Sequence, residues 1–341
     1  MSKVWRDGWY RCLAAFWSGL LLVVGLASGQ PGLSATADPS PSMALGIYTS
    51  GFVGDRAVMA QSVLALDRWS GKPLSLVGLF LDLESANPAY DIPTALERLW
   101  QEGKVGFVNL NTTQSATAIA TGRLDASLRR LARAYADWVA QGENRFAFVA
   151  PLPEMNGAWE PYSQSPAIFQ QAYTRLQQHF AAAGVTAEAI RWVFAPNGWS
   201  DRDREFERYY PGSEQVDVVA FSGYNWGYCD RAAWPQWQSP AEVFGPYLDR
   251  LRAMAPEKPI FIAQTASTSM LAQGSSPTAK AQWLMDSYAY LAEAGVKAVL
   301  YFNLDKECDW AIFRPEGESV VAYRQAIAPD SIGYLPPAQL R

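Results

Sequence analysis

An α/β fold, closed as a single (β/α)8 TIM barrel, is what the 341-residue sequence predicts. Eight short apolar runs recur along the chain, and helical patterns with their own start and stop signals fall between them. No second composition zone or internal repeat interrupts the alternation, and low complexity is confined to an Ala/Ser/Pro segment over 34–44. Parallel strands buried on both faces read as continuous apolar runs rather than alternating ones. Strand–helix alternation over roughly 250 residues or more then suits a barrel. An open doubly wound sheet is the competitor, but no G-x-G-x-x-G follows the first run and no P-loop lysine motif occurs.

The first strand is expected at Leu45 to Thr49, after a linker over 38–44. The others are expected at Leu76 to Leu83, Val105 to Leu110, Phe146 to Ala150, Ile190 to Ala195, Val216 to Ser222, Ile260 to Ala263 and Ala298 to Phe302. Leu124, Leu128, Leu131, Tyr135 and Trp138 step by three or four and end near Gly142, as one helix face does. Ser165-Pro166 is an N-cap followed by proline at the first helical position; Phe169, Tyr173, Leu176 and Phe180 then form a face closed by Gly184. Ser239-Pro240 and Ser276-Pro277 repeat the device, the latter leading through Leu284, Tyr288 and Leu291 to Gly295. The barrel domain is expected over 45–328, with a C-terminal tail at 329–341.

Lys3, Arg6 and Arg11 precede an apolar run from Leu13 to Ala27, and Ala35-Thr36-Ala37 offers a small-x-small cleavage site. Residues 1–37 therefore read as a secretory signal peptide. The run is short for a span of about 20 residues, so an uncleaved anchor is the alternative. The expected location is secreted or periplasmic. Cys12 lies in that segment, while Cys229 and Cys308 follow the sixth and eighth strands and so share one barrel face. In an oxidising compartment they either pair or remain two buried thiols. A net charge of -5 without a basic stripe argues against a nucleic-acid partner. The single histidine, His179, falls late in a helix, which leaves little basis for a histidine metal site or a Ser-His-Asp triad. No metal and no cofactor are expected, and the chain is expected to be a monomer.

Active sites of such barrels lie at the C-terminal ends of the strands. Those ends offer Asp82 and Glu84, Asn109 and Asn111, Glu154 and Asn156, Asn197 and Trp199, Tyr224, Asn225 and Trp226, Gln264, and finally Asn303, Asp305, Glu307, Asp309 and Trp310. Amides, carboxylates and indoles without histidine or lysine describe a neutral polyol site; a phosphate site would want cations or a glycine nest. Glu154 is either the acid of a sugar site, held protonated by a partly apolar setting, or a merely solvated loop carboxylate. Asn156 either binds a hydroxyl or satisfies the turn before Gly157. Trp159, Trp199, Trp226 and Trp310 are stacking candidates or core indoles, and Asp305, Glu307 and Asp309 a charged rim or subsite wall.

Several of these stretches, in order, resemble glycoside hydrolase family 26. They are Glu154-Met155-Asn156-Gly157 with Trp159, Tyr209-Tyr210-Pro211-Gly212 leading to Val216-Asp217, Gly223-Tyr224-Asn225, Lys258-Pro259-Ile260, and Phe302-Asn303 with Lys306-Glu307 and Asp309-Trp310. The resemblance spans about residues 45–325. It implies a (β/α)8 barrel acting on a β-linked polysaccharide, β-mannan or a related β-1,4/β-1,3-glycan, by a retaining mechanism. Glu154 matches the family's general acid/base, and Asn156, Trp159, Asn197, Trp199, Tyr224, Trp226, Asn303 and Trp310 are the expected substrate contacts. Tyr224 resembles the tyrosine that hydrogen-bonds the nucleophile. Two positions depart: Pro153 stands where the family usually has histidine, and Gln264 where it has the nucleophilic glutamate. The substitution leaves three readings: a non-catalytic relative that binds glycan in the cleft, a displaced nucleophile such as Glu84, Glu160 or Glu307, or a shifted alignment of the seventh strand.

Overall fold

The computed structural model describes residues 41–49, 65–200, 203–312 and 317–341. The expected signal over 1–37 lies outside the described residues, as do residues 38–40 of the linker. Eight parallel strands close into a ring in chain order: β1 (Met43–Tyr48), β2 (Leu76–Asp82), β3 (Val105–Asn111), β4 (Ala147–Pro151), β5 (Ile190–Phe194), β6 (Val218–Asn225), β7 (Ile260–Ser267) and β8 (Ala298–Phe302). Closure comes from β8 lying along β1, with Ala44 opposite Ala298 and Tyr48 opposite Phe302. Around the ring pack α1 (Pro88–Gln101), α2 (Asp125–Val139), α3 (Pro166–Ala182), α4 (Pro240–Met254), α5 (Pro277–Glu293) and α6 (Glu318–Ala326).

All three Ser-Pro signals open helices. Ser165, Ser239 and Ser276 each accept a hydrogen bond from the backbone N–H three residues on, and Glu242 closes a capping box on Ser239. Between β5 and β6, by contrast, the described chain holds two single 3-10 turns, Phe206–Tyr209 and Ser213–Gln215, in place of an α-helix. Pro211 has no N–H to donate and Gly212 sits at φ 104°, so a helix cannot run through them. Beyond residue 328 the chain stays on the barrel: Ile332–Gly333 pairs with β1, and the Tyr334 hydroxyl donates to the Gly103 carbonyl. The one histidine, His179, lies 2.9 Å from Asp125, which Arg175 also grips; those hydrogen bonds hold the aspartate well below the usual carboxylate range.

Inside the ring the rings of Phe148 on β4 and Phe261 on β7 meet at 5.1 Å. These strands are three places apart in the sheet, so the contact crosses the lumen and faces β4 towards β7. Above it, Asn109 of β3 donates to the Tyr48 hydroxyl of β1 at 2.8 Å, again across the interior.

Cys229 and Cys308 are joined, their Cα atoms 5.9 Å apart and 79 residues apart in sequence. The bond ties the loop after β6 to the loop after β8, passing over the end of β7. Closing a loop of that length stabilises by about 4.5 kcal/mol in the chain-entropy account. Adding reductant, or replacing both cysteines by serine, is therefore expected to lower the melting temperature; identical melts with and without reductant would show that the two thiols are free.

Candidate active site

The strand that leads into the site ends at Pro151, and the next turns are strained. Leu152 and Glu154 sit at φ 53° and 56°, where residues other than glycine are uncommon. Each such residue costs on the order of 1 kcal/mol or more and persists only when its surroundings fix it. Here they do: Leu152 N–H donates to the Leu110 carbonyl at 2.9 Å and Glu154 N–H to the Ala195 carbonyl at 2.8 Å, clamping the turn between the ends of β3 and β5. Asn156, fully buried, completes the clamp. Its amide donates to the carbonyls of Asn197 (2.9 Å) and Trp199 (3.1 Å), and its oxygen accepts from Asn197 N–H at 2.9 Å. Both amide hydrogens are thus spent on backbone, and Asn156 positions the loop after β5.

The Glu154 carboxyl keeps some contact with solvent but lies deep in the barrel mouth. Burial is the largest influence on it and raises its pKa above the usual range; hydrogen bonds from Ser222, Asn197 and Trp159 and the charge of Lys306 pull partly the other way. The Trp159 indole N–H reaches it at 3.2 Å. Gly157 makes room for that indole, since a Cβ there would lie 2.3 Å from the ring.

Across the mouth, Gln264 is buried on β7 and accepts from the Tyr224 hydroxyl at 2.9 Å. Ser222 of β6 is the register partner of Gln264, and Asn197 bridges to Ser222 in turn. Register partners on neighbouring strands stand about 4.8 Å apart. Glu154 is therefore hydrogen-bonded to Ser222, the residue that stands beside Gln264 in the sheet. The sequence places the ends of β6 and β7 too early: they run on to Asn225 and Ser267, paired beyond the barrel rim. Polar residues stay in strand there because each ladder satisfies the other's backbone, and Asn225 donates to the Ser267 hydroxyl at 3.0 Å.

The other expected contacts divide by burial. Tyr224, Trp226 and Trp310 form a wall, with Trp310 5.3 Å from Tyr224 and 5.1 Å from Trp226. Trp310 is buried at its back, 1% exposed, and offers no open face; Trp226 is half-buried. Asn303 is buried and accepts from Ile312 N–H at 2.7 Å, while its amide nitrogen has no protein partner. Trp159 and Trp199 are the open ones, their rings nearly parallel and 6.3 Å apart. Asp309 is taken up by Ser269 N–H and the Thr268 hydroxyl, and Asp305 by Ala311 N–H. Of the alternative carboxylates, Glu84 accepts from Thr112 at 3.0 Å and Glu307 pairs with Lys306 at 2.8 Å. Glu160 shares the loop of Glu154; burial raises its pKa, and the charge of Glu154 raises it further. Among the described residues no group of three or more His, Cys, Asp or Glu is arranged to hold a metal ion. Sequence does not single out Ser222 or the exposed Trp234; Ser222 is visible there only as the polar residue closing an apolar run.

The model of glycosyl hydrolase family 26 matches residues 97–257, which includes Glu154 and stops short of β7. Endoglucanase H of Acetivibrio thermocellus is 28% identical over 328 residues, 92% of this chain and 33% of that protein, so the chain spans about a third of its relative's length. Among solved structures, the modular endo-β-1,4-mannanase of Cellulomonas fimi superposes with a TM-score of 0.65 at 17% identity, covering 88% of this chain and 74% of that one. A β-mannanase from a symbiotic protist of the termite Reticulitermes speratus, complexed with gluco-manno-oligosaccharide, gives 0.57 at 13% identity over 88% and 90%. Identities this low speak for the fold. Motif order, family model and barrel agree: this chain is similar to the family 26 glycoside hydrolases.

Proposed function

We propose that the chain is exported and acts on a β-linked polysaccharide, a β-mannan or related β-1,4/β-1,3-glycan, in the barrel mouth, with Glu154 as acid/base. The observation that supports this best is the arc in which a carboxyl of raised pKa, on a strained turn, is hydrogen-bonded to the residue registered opposite Gln264. A protonated Glu154 delivers its proton to the glycosidic oxygen as the bond breaks. Retaining hydrolysis also needs a second carboxylate about 5–5.5 Å away to attack as an anion. Gln264 is neutral and a very poor nucleophile. With its oxygen engaged by Tyr224, its amide hydrogens are left to bind a sugar hydroxyl. Loss of a member of a catalytic set costs about 10⁴–10⁶ in rate, so turnover here is slow. The names of the relatives, endoglucanase and mannanase, set the range of glycans, and the disulfide together with the basic, apolar and small-residue order of 1–37 supports export.

Gln264 itself favours a second reading, a protein that binds the same glycan without cutting it. The test is reducing-sugar release and calorimetric binding over mannans, xylans and β-glucans. Slow release that disappears in Glu154→Gln is expected. Binding with no release by either protein selects the second reading, and binding to none of the panel refutes both.

A further inference from the structure

Beginning at the acid, three indoles adjoin one another in turn. Trp159 donates to Glu154; Trp199 lies 6.3 Å from Trp159, and Trp234 5.1 Å beyond Trp199. They are 52%, 36% and 67% exposed. Trp234 rides on the loop between β6 and α4, and that loop is braced at several points. Gly227 pairs with Gln236 across an antiparallel bridge, with Gln236 N–H donating to the Gly227 carbonyl at 2.9 Å. Gly227 itself is required there: its φ is 50°, and a Cβ would lie 2.5 Å from the Met270 carbonyl oxygen. Ala232 N–H is held by the Cys229 carbonyl at 2.8 Å, and Cys229 is bonded to Cys308. At the far end Gln238 N–H donates to the Asn225 side chain at 3.1 Å. A large indole left open on a fixed loop marks a contact surface rather than a slack tip.

We propose that Trp199 and Trp234 are an outer docking platform for successive pyranose rings of a β-linked glycan whose reacting linkage lies at Glu154. The inference rests on the function proposed above and extends it from a single sugar to a chain. The row is continuous with the acid through Trp159. It is also narrow, whereas a stable protein partner wants about 800 Å² on each side. Flat indole faces match the C–H faces of sugar rings, and the row advances in steps comparable to those of an extended glycan. The disulfide ties this loop to the one after β8.

Calorimetric titration of the full chain and of Trp234→Ala and Trp234→Phe, with mannohexaose and cellohexaose, tests this. For whichever hexaose the wild type binds, Trp234→Ala is expected to weaken affinity roughly tenfold and Trp234→Phe to restore most of it. Mannotriose or cellotriose, which fills the mouth alone, is expected to bind all three proteins alike. Equal hexaose affinity in wild type and Trp234→Ala overturns the platform while leaving the proposed function standing. A wild type that binds neither hexaose removes both. A change in sedimentation without a change in hexaose affinity would make Trp234 a protein contact and also overturn the platform.

Discussion

Replacing Gln264 with glutamate is expected to raise reducing-sugar release from the responding glycan by about 10³-fold or more. Removing one member of a catalytic set costs about 10⁴–10⁶, and restoring it recovers most of that where its supports survive. They survive here. The Tyr224 hydroxyl that donates to the Gln264 oxygen would donate to a carboxylate oxygen in the same place, and Ser222, beside it in the sheet, still holds Glu154. A second carboxyl near Glu154 would push its pKa higher still, because two facing carboxylates resist ionising together. The activity should then follow a bell-shaped pH profile whose limits belong to the pair rather than to either residue. Proton NMR of the first product should show the β-anomer, the outcome of double displacement. A variant that still binds glycan but gains nothing would mean that Gln264 does not occupy the position from which a nucleophile attacks. Burying the new charge should also lower stability relative to the wild type.

The eight strands were legible because strands buried on both faces must be apolar throughout, and an unbroken apolar run too short for a core helix settles most readily as such a strand. The helix starts were legible for a local reason: serine followed by proline satisfies the orphan N–H groups of a first turn at Ser165, Ser239 and Ser276. What sequence hid was set by tertiary context. Ser222 looks like the end of a strand, yet its strand continues because β7 runs alongside to supply partners. Trp199, Trp226, Trp234 and Trp310 are alike as letters, and only the loops above β5, β6 and β8 decide which is buried. Asn156 reads equally as a sugar ligand or a turn residue; its two donors point at the Asn197 and Trp199 carbonyls, a contact spanning 41 and 43 residues that no local pattern encodes. Sequence alone allows Cys229 and Cys308 to be a bridge or free thiols, because strand counting puts both on one face without fixing their separation.

Replacing Glu154 with glutamine is expected to do two things of opposite sign. Release of reducing sugar should fall by about 10²–10⁴, the usual contribution of a positioned general acid, because an amide has no proton to give at neutral pH. The fold, meanwhile, should become more stable at neutral and alkaline pH. Burial raises the Glu154 pKa in the folded chain above the value of about 4.3 for an exposed glutamate. Between those two values the folded state binds more protons than the unfolded one, so stability falls as pH rises. The carboxyl's contribution is complete below the unfolded value and is lost as pH climbs through the folded value. Glutamine removes that slope while keeping the same strained backbone, with its carbonyl oxygen still able to accept from the Trp159 indole. Melting temperatures of wild type and variant should therefore be close at pH 4 and separate by pH 8, the variant melting higher. Parallel melting curves across that interval would show that the carboxyl is not held protonated, and with it would go the reason for assigning the acid role to Glu154. A gain in stability on losing an active residue has a definite meaning here: the turn that lifts Glu154 into the mouth, with its residues at positive φ, is maintained against the preference of both its backbone and its charge.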